Sequence, residues 1–173
     1  MIELILGGAR SGKSRYAERR AAQSNKEVFY IATAFAGDDE MAKRILKHQQ
    51  QRPQHWQVIE EPIHLAAILK QHDQANRVFL VDCLTLWLSN ILFGNNKEQP
   101  NPFCSEKTLL LDLLPALTGD VIFVSNEVGQ GTTPMNAMAR QFIDEAGLLH
   151  QDIAQLSQHV NFITAGLAQQ LKP

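Results

Sequence analysis

Gly7-Gly8-Ala9-Arg10-Ser11-Gly12-Lys13-Ser14 follows directly on the apolar run Ile2-Glu3-Leu4-Ile5-Leu6 and opens a helical pattern. The octapeptide satisfies the spacing Gly-x-x-x-x-Gly-Lys-Ser. Its glycines let backbone N–H groups curl round phosphate oxygens, Lys13 can reach the outer phosphates, and the Ser14 hydroxyl is placed to ligate Mg²⁺. A plain glycine turn before a helix would give no reason for strand, loop and lysine to come in this order. The stretch is therefore read as a phosphate-binding P-loop, with Gly7, Gly8, Ala9, Arg10, Ser11, Gly12, Lys13 and Ser14 as its nucleotide-binding residues.

Working outward, apolar runs with β-branched or aromatic content recur at 2–6, 27–32, 56–60, 77–82, 120–125 and 159–164, and predict six short strands. Val78-Phe79-Leu80-Val81 and Val121-Ile122-Phe123-Val124 are continuous rather than alternating, as strands covered on both faces are. Helical patterns lie between them. The clearest spans 135–157, where Met138, Phe142, Ala146, Leu149, Ile153 and Leu156 form one apolar stripe. Acids at 38–40 and Pro53 bracket another helix at 39–51. Strands alternating with helices predict an α/β fold of the P-loop NTPase type, a mainly parallel central sheet with helices on both faces. Residues 94–102 read as an exposed insertion between helices.

The 173 residues suit one domain spanning 1–173, with no Ser/Gly linker to divide it. A formal charge of −2, with no run of like charges, disfavours nucleic acid as a partner. Cys83 and Cys104 are the only cysteines, and neither belongs to a metal-spaced cluster, so a reducing cytoplasm is expected. The first residues lack a basic leader, and no apolar run is long enough for a transmembrane segment.

Beyond the loop, Val78-Phe79-Leu80-Val81-Asp82 is an apolar strand ending in a carboxylate, the position from which such enzymes hold the metal or its water. The expected metal ligands are thus Ser14 and Asp82. Glu60 ends the preceding strand and by itself could equally cap or form an ion pair. His48 shares a helix face with Arg44, Met41 and Ile45, and Arg52 follows one turn later. Neighbouring cations favour its neutral, nucleophilic form and would receive phosphate oxygens. Spacing alone makes any helical histidine structural by default, a reading that His55, His64, His72, His150 and His159 keep. The glycine-rich turn 125–134 follows a buried strand and could meet substrate or phosphates, but it is not the guanine-reading Asn-Lys-x-Asp.

With these residues in place, the chain resembles the bifunctional adenosylcobinamide kinase/adenosylcobinamide-phosphate guanylyltransferase family of cobalamin biosynthesis. The similarity runs nearly end to end. It includes the P-loop, Tyr30-Ile31-Ala32-Thr33-Ala34, Asp39-Glu40-Met41-Ala42 with Arg44-Ile45 and His48, Arg52-Pro53 with His55-Trp56, and Glu60. It continues through Asp82-Cys83-Leu84-Thr85-Leu86-Trp87-Leu88-Ser89-Asn90, Asn126-Glu127-Val128-Gly129-Gln130-Gly131, Pro134, Arg140, and Asp144 with Gly147. Gln49, Gln50 and Gln51 stand where the family is usually more basic, and Thr132-Thr133 replaces an aliphatic pair.

The resemblance implies a guanylylated histidine at His48, with Lys13 as the other catalytic residue. It implies further nucleotide contacts at Ile31, Ala32, Thr33, Gln49, Gln50, Gln51 and Arg52, and two acidic contacts at Glu60 and Asp82. Also implied are Mg²⁺ as cofactor, ATP and GTP as substrates, adenosylcobinamide and its phosphate as partners, and a trimeric homo-oligomer. A P-loop kinase of another small metabolite, or a relative retaining one of the two activities, are the readings it competes with.

Overall fold

The computed structural model describes residues 1–34, 53–94 and 103–173. Its strands are β1 (Ile2–Gly7), β2 (Glu27–Ala32), β3 (Gln57–Glu60), β4 (Arg77–Asp82), β5 (Asp120–Asn126), β6 (His159–Thr164) and β7 (Leu167–Lys172). The helices are α1 (Lys13–Ala22), α2 (Leu65–His72), α3 (Leu84–Phe93), α4 (Phe103–Leu113) and α5 (Ala137–Leu156), with a 3₁₀ turn at Leu114–Ala116. The strands form one sheet in the order β3-β2-β4-β5-β1-β6-β7. β1 to β6 pair in parallel, and β7 returns antiparallel to β6. The expected α/β architecture is observed. The helix expected at 39–51 lies outside the described residues, as does the expected insertion beyond Gly94.

Burial on both faces explains the continuous apolar runs. Successive residues point to opposite sides. Leu4, Phe79, Val81, Val121 and Phe123 join Leu65, Leu69, Trp87, Leu88, Leu110, Leu149 and Ile153 of α2 to α5 in one cluster. Ile5, Val78, Leu80, Ile122 and Val124 pack on the other side against Ala17 and Ala21 of α1 and against Trp56. Each Leu or Phe so buried contributes about 1.5–3 kcal/mol. The face under α1 also takes Glu3 from β1, which is fully buried. Its carboxylate accepts from Arg20 Nε at 3.0 and 3.3 Å and from Asn161 Nδ2 at 2.9 Å, which offsets the loss of water.

Two features depart from the sequence reading. β7 is a seventh strand that no pattern announced. Leu-Ala-Gln-Gln-Leu-Lys lacks β-branched residues and is mostly exposed, so pairing with β6 makes it a strand. The turn between them places Ala165 at φ 52° and Gly166 at φ 79°, both left-handed as a tight hairpin turn needs. The apolar stripe of α5, in turn, is buried only in part. Ala146, Leu149, His150 and Ile153 are buried, whereas Met138 is 55% exposed.

Candidate nucleotide site

The P-loop leaves β1 at Gly7 and ends in the first turn of α1. A Cβ on Gly7 would lie 2.6 Å from both Ile163 O and Ser11 Oγ, so no side chain fits there. Gly12 has φ 97°, and a Cβ on it would meet Gly166 Cα at 3.1 Å. Arg10 also adopts a left-handed conformation, at φ 56°. Gly8 has open space around it. The Ser11 N–H donates to Gly8 O at 3.2 Å, closing the loop on itself. From outside, the Gly166 N–H donates to Ser11 O at 2.8 Å. The β6–β7 hairpin therefore buttresses the cradle, a contact that no motif in the sequence suggested.

Lys13, the first residue of α1, is 9% exposed, and its Nζ donates to Gly8 O at 3.1 Å. Burial lowers its pKa, while the neighbouring Cys83 and Asp82 side chains act the other way. A partly desolvated cation at a helix N-terminus, bonded only to a carbonyl among the described residues, is a site for an anion. Asp82 ends β4, and its Oδ2 accepts from Tyr30 Oη at 2.8 Å. β5 is the one strand between β4 and β1. Lys13 and Asp82 thus face the same carboxyl end of the sheet, and their charges act on each other.

The remaining candidates fall around this pair unevenly. The end of β2 is in register with that of β4, Ala32 opposite Asp82. Ile31 is fully buried. Thr33 is fully buried too, and its Oγ1 donates to Cys83 O and accepts from Cys83 N–H, each at 2.7 Å. Both side chains serve the fold, and so does the Thr33 backbone, whose N–H donates to Asp82 O at 3.3 Å and whose carbonyl accepts from Asn90 Nδ2 at 2.8 Å. Glu60, opposite Ala32 on β3, stands four strands from β1, about 19 Å at ordinary strand spacing. It can meet only a part of a ligand remote from the cradle. His48, Gln49, Gln50, Gln51 and Arg52 lie outside the described residues.

A magnesium ion suits the donors present. Ser14 and Asp82 offer hard oxygen ligands, and Mg²⁺ is usually held by one or two such groups together with substrate phosphates and water. Among the described residues, no group of three or more His, Cys, Asp or Glu side chains could hold a metal by itself.

Three further features join residues that the sequence reading names, for the most part, separately. Thr85 Oγ1 lies 3.1 Å from Cys83 Sγ and accepts the Asn126 N–H at 3.2 Å, while the Glu127 N–H donates to Gly7 O at 3.0 Å. These bonds lace the ends of β4, β5 and β1 together. Second, His150 on α5 is buried beside Ser125 and Glu127. Third, an open trough of about 470 Å³ lies between α3 and α5, walled by Phe93, Val128, Met138, Phe142 and Ile143. The loop leading into α5 is tied down by Arg140 Nη1, which donates to Pro134 O at 3.0 Å and Met135 O at 2.6 Å.

Known proteins resemble this chain in sequence and in fold. The family model described as cobinamide kinase / cobinamide phosphate guanyltransferase matches residues 3–171. A bifunctional adenosylcobalamin biosynthesis protein of Pseudomonas aeruginosa, CobP, is 52% identical over 172 residues, covering 99% of this chain and 98% of that one. Its counterpart CobU of Escherichia coli is 36% identical over 182 residues, covering 99% of this chain and all of its own length. Among solved structures, the RadB recombinase aligns with a TM-score of 0.52 at 14% identity, over 93% of this chain and 73% of that one. A prototypical ATPase from the type III secretion system of pathogenic bacteria aligns at 0.54 and 12% identity, over 98% and 57%. At such identities the last two speak for the P-loop ATPase fold alone. Among the described residues, no helix is long and apolar enough to cross a membrane.

Proposed function

The chain belongs to the cobinamide kinase / cobinamide phosphate guanyltransferase family, and from that premise we propose how its residues divide the two reactions. In the first, the P-loop amides and Lys13 hold the triphosphate of ATP or GTP. The aminopropanol hydroxyl of adenosylcobinamide attacks the γ-phosphorus, and the nucleoside diphosphate leaves. Bound Mg²⁺, on Ser14 and Asp82, would supply positive charge to the phosphates. Lys13 and the loop N–H groups stabilise the charge that develops on the transferred phosphoryl.

In the second reaction, neutral His48 attacks the α-phosphorus of GTP. A nitrogen–phosphorus bond forms, pyrophosphate leaves, and GMP is held as a phosphoramidate. The phosphate of adenosylcobinamide phosphate then displaces the histidine, giving adenosylcobinamide-GDP. Ile31 to Thr33 and Glu60 would wall the nucleotide, and Gln49 to Arg52 would complete its surroundings. We take residues 1–173 as one domain that works as a trimer in the cytoplasm.

The observation that carries the reading is the buried Lys13 cation at the mouth of a glycine cradle, with Asp82 acting on it across one strand. Mass analysis of the intact protein after exposure to GTP is expected to find one added GMP, lost on His48→Ala. Labelling that survives in the His48→Ala protein would end the covalent step. Phosphate transfer to cobinamide, measured separately from GMP transfer, tests whether both activities are present.

A further inference from the structure

On the face of the sheet away from α1, three side chains outside the proposed chemistry form a chain of contacts. Ser125, the next-to-last residue of β5, is fully buried, and its Oγ lies 2.7 Å from Nε2 of His150. His150 is itself 7% exposed. Its other nitrogen, Nδ1, stands 3.8 Å from Oε2 of Glu127. The second carboxylate oxygen, Oε1, accepts the Gly129 N–H at 2.6 Å. Through its own backbone N–H, Glu127 is bonded to Gly7, where the P-loop begins. The chain thus runs from helix α5 through the imidazole to the 127–129 turn and the cradle.

The donors and acceptors decide which nitrogen carries the proton. A buried hydroxyl needs an acceptor for its hydrogen. Among the described residues, Ser125 Oγ has one recorded partner, Nε2. If the serine donates to that nitrogen, the neutral ring carries its hydrogen on Nδ1, facing Glu127. Burial, opposed by the charge of Glu127, lowers the pKa of the ring and favours this neutral form. At 3.8 Å the Nδ1–Glu127 contact is electrostatic rather than a hydrogen bond, so it biases the carboxylate without locking it.

We propose that His150 is a positioning residue for phosphoryl transfer, its Nδ1–H turned toward Glu127 by Ser125 so that the 127–129 turn stays closed against the P-loop. This rests on the kinase reading above. β5 stands between the strands that carry the cradle and Asp82, so its turn borders both. A Glu127 carboxylate released from His150 and Gly129 would be free to approach the Lys13 cation and compete with incoming phosphates.

Two measurements on the full-length protein test the assignment. Nitrogen-15 imidazole spectra, with the His150 signal identified by its loss in His150→Gln, are expected to place the proton on Nδ1. A proton on Nε2 overturns the proposal. In kinetics with cobinamide, His150→Leu is expected to lower kcat for phosphate transfer about tenfold, as a small misplacement at a reacting centre does. The KM for nucleotide should stay within about twofold, since the cradle's own donors remain. His150→Gln, which keeps an N–H donor, should recover most of the rate. A His150→Leu enzyme with wild-type kcat shows the imidazole to be mere packing and sinks the idea. If that variant does not fold, Ser125→Ala replaces it, with the same fall in kcat and a shift of the proton toward Nε2 expected. Unmodified protein that transfers no phosphate to cobinamide counts against the kinase reading, which the substrate-free tautomer measurement keeps separate.

Discussion

Lys13 is held in a position that costs the fold something. Its ammonium is largely withdrawn from water, and among the described residues it is bonded only to a carbonyl. Because burial sets its folded pKa below the ordinary lysine value, the unfolded chain binds more protons than the native one in the alkaline range between the two. Native stability attributable to this residue therefore rises with pH through that window. Lys13→Met should abolish that rise and melt at the same temperature or higher, as followed by thermal unfolding across pH. The same variant should lose both transfer reactions by at least about a hundredfold, the scale of removing one preorganised donor to a developing anion. Normal rates in either reaction would break the idea of a shared cradle. Sequence alone singled out Lys13 and Ser14 from the spacing of the P-loop motif, and Asp82 from the carboxylate that ends an apolar strand. It did not disclose that the Thr33 side chain is committed to the Cys83 backbone, since that bond joins residues fifty positions apart.

Besides apolar packing, single carboxylates tie elements of this molecule together. Asp73, just past α2, accepts from Thr118 N–H at 3.0 and 3.1 Å, from Thr118 Oγ1 at 3.0 Å and from Gly119 N–H at 2.8 Å. It ties the end of α2 to the turn that feeds β5. Burial alone would raise its pKa, but the N–H groups of Thr118 and Gly119 outweigh it and hold the carboxyl below its usual range. Its contribution is present above the unfolded carboxylate pKa and is lost as pH falls through the folded one. Asp73→Ala should cost about 1–2 kcal/mol near neutrality, since bonds to a charged acceptor are lost. The loss, read from denaturant midpoints, should shrink toward acid. An unchanged midpoint at neutral pH would show the four bonds to be idle. Such ties join loops distant in sequence, whereas strands β1, β2, β4 and β5 could be read directly from runs that must be apolar on both sides. β7 could not, because its side chains carry little of the reason for its pairing.

On the scale of the whole molecule, α5 outruns the sheet it covers. His150 is level with Ser125 near the top of β5, yet Met138 lies twelve residues earlier on the helix, about 18 Å farther along its axis. The stripe read from 3.6-residue spacing thus serves two ends. Its lower half fills the core, and its upper half, with Phe93 and Val128, walls the trough beside the turn that borders the cradle. Periodicity reports only that a face is apolar, and how much of it meets the sheet is settled by strand length. An apolar trough of this kind could receive the bulky ring of the acceptor or a second copy of the chain. Phe142→Ser should raise the KM for cobinamide several-fold with that for nucleotide unchanged, while light scattering reports the assembly state. A change of assembly state in Phe142→Ser would make the trough a contact between subunits, and an unmoved KM would leave it without a role in acceptor binding.

The hairpin that props the cradle has one more consequence. The Gly166 amide belongs to a turn outside the P-loop motif, yet its hydrogen is given to Ser11 O, in the middle of the loop. Its exchange with deuterated solvent is a gauge of how firmly the loop is held. A nucleotide that clamps residues 7–14 should slow that one proton from the far side of the loop, so occupancy can be followed without labelling any residue of the motif.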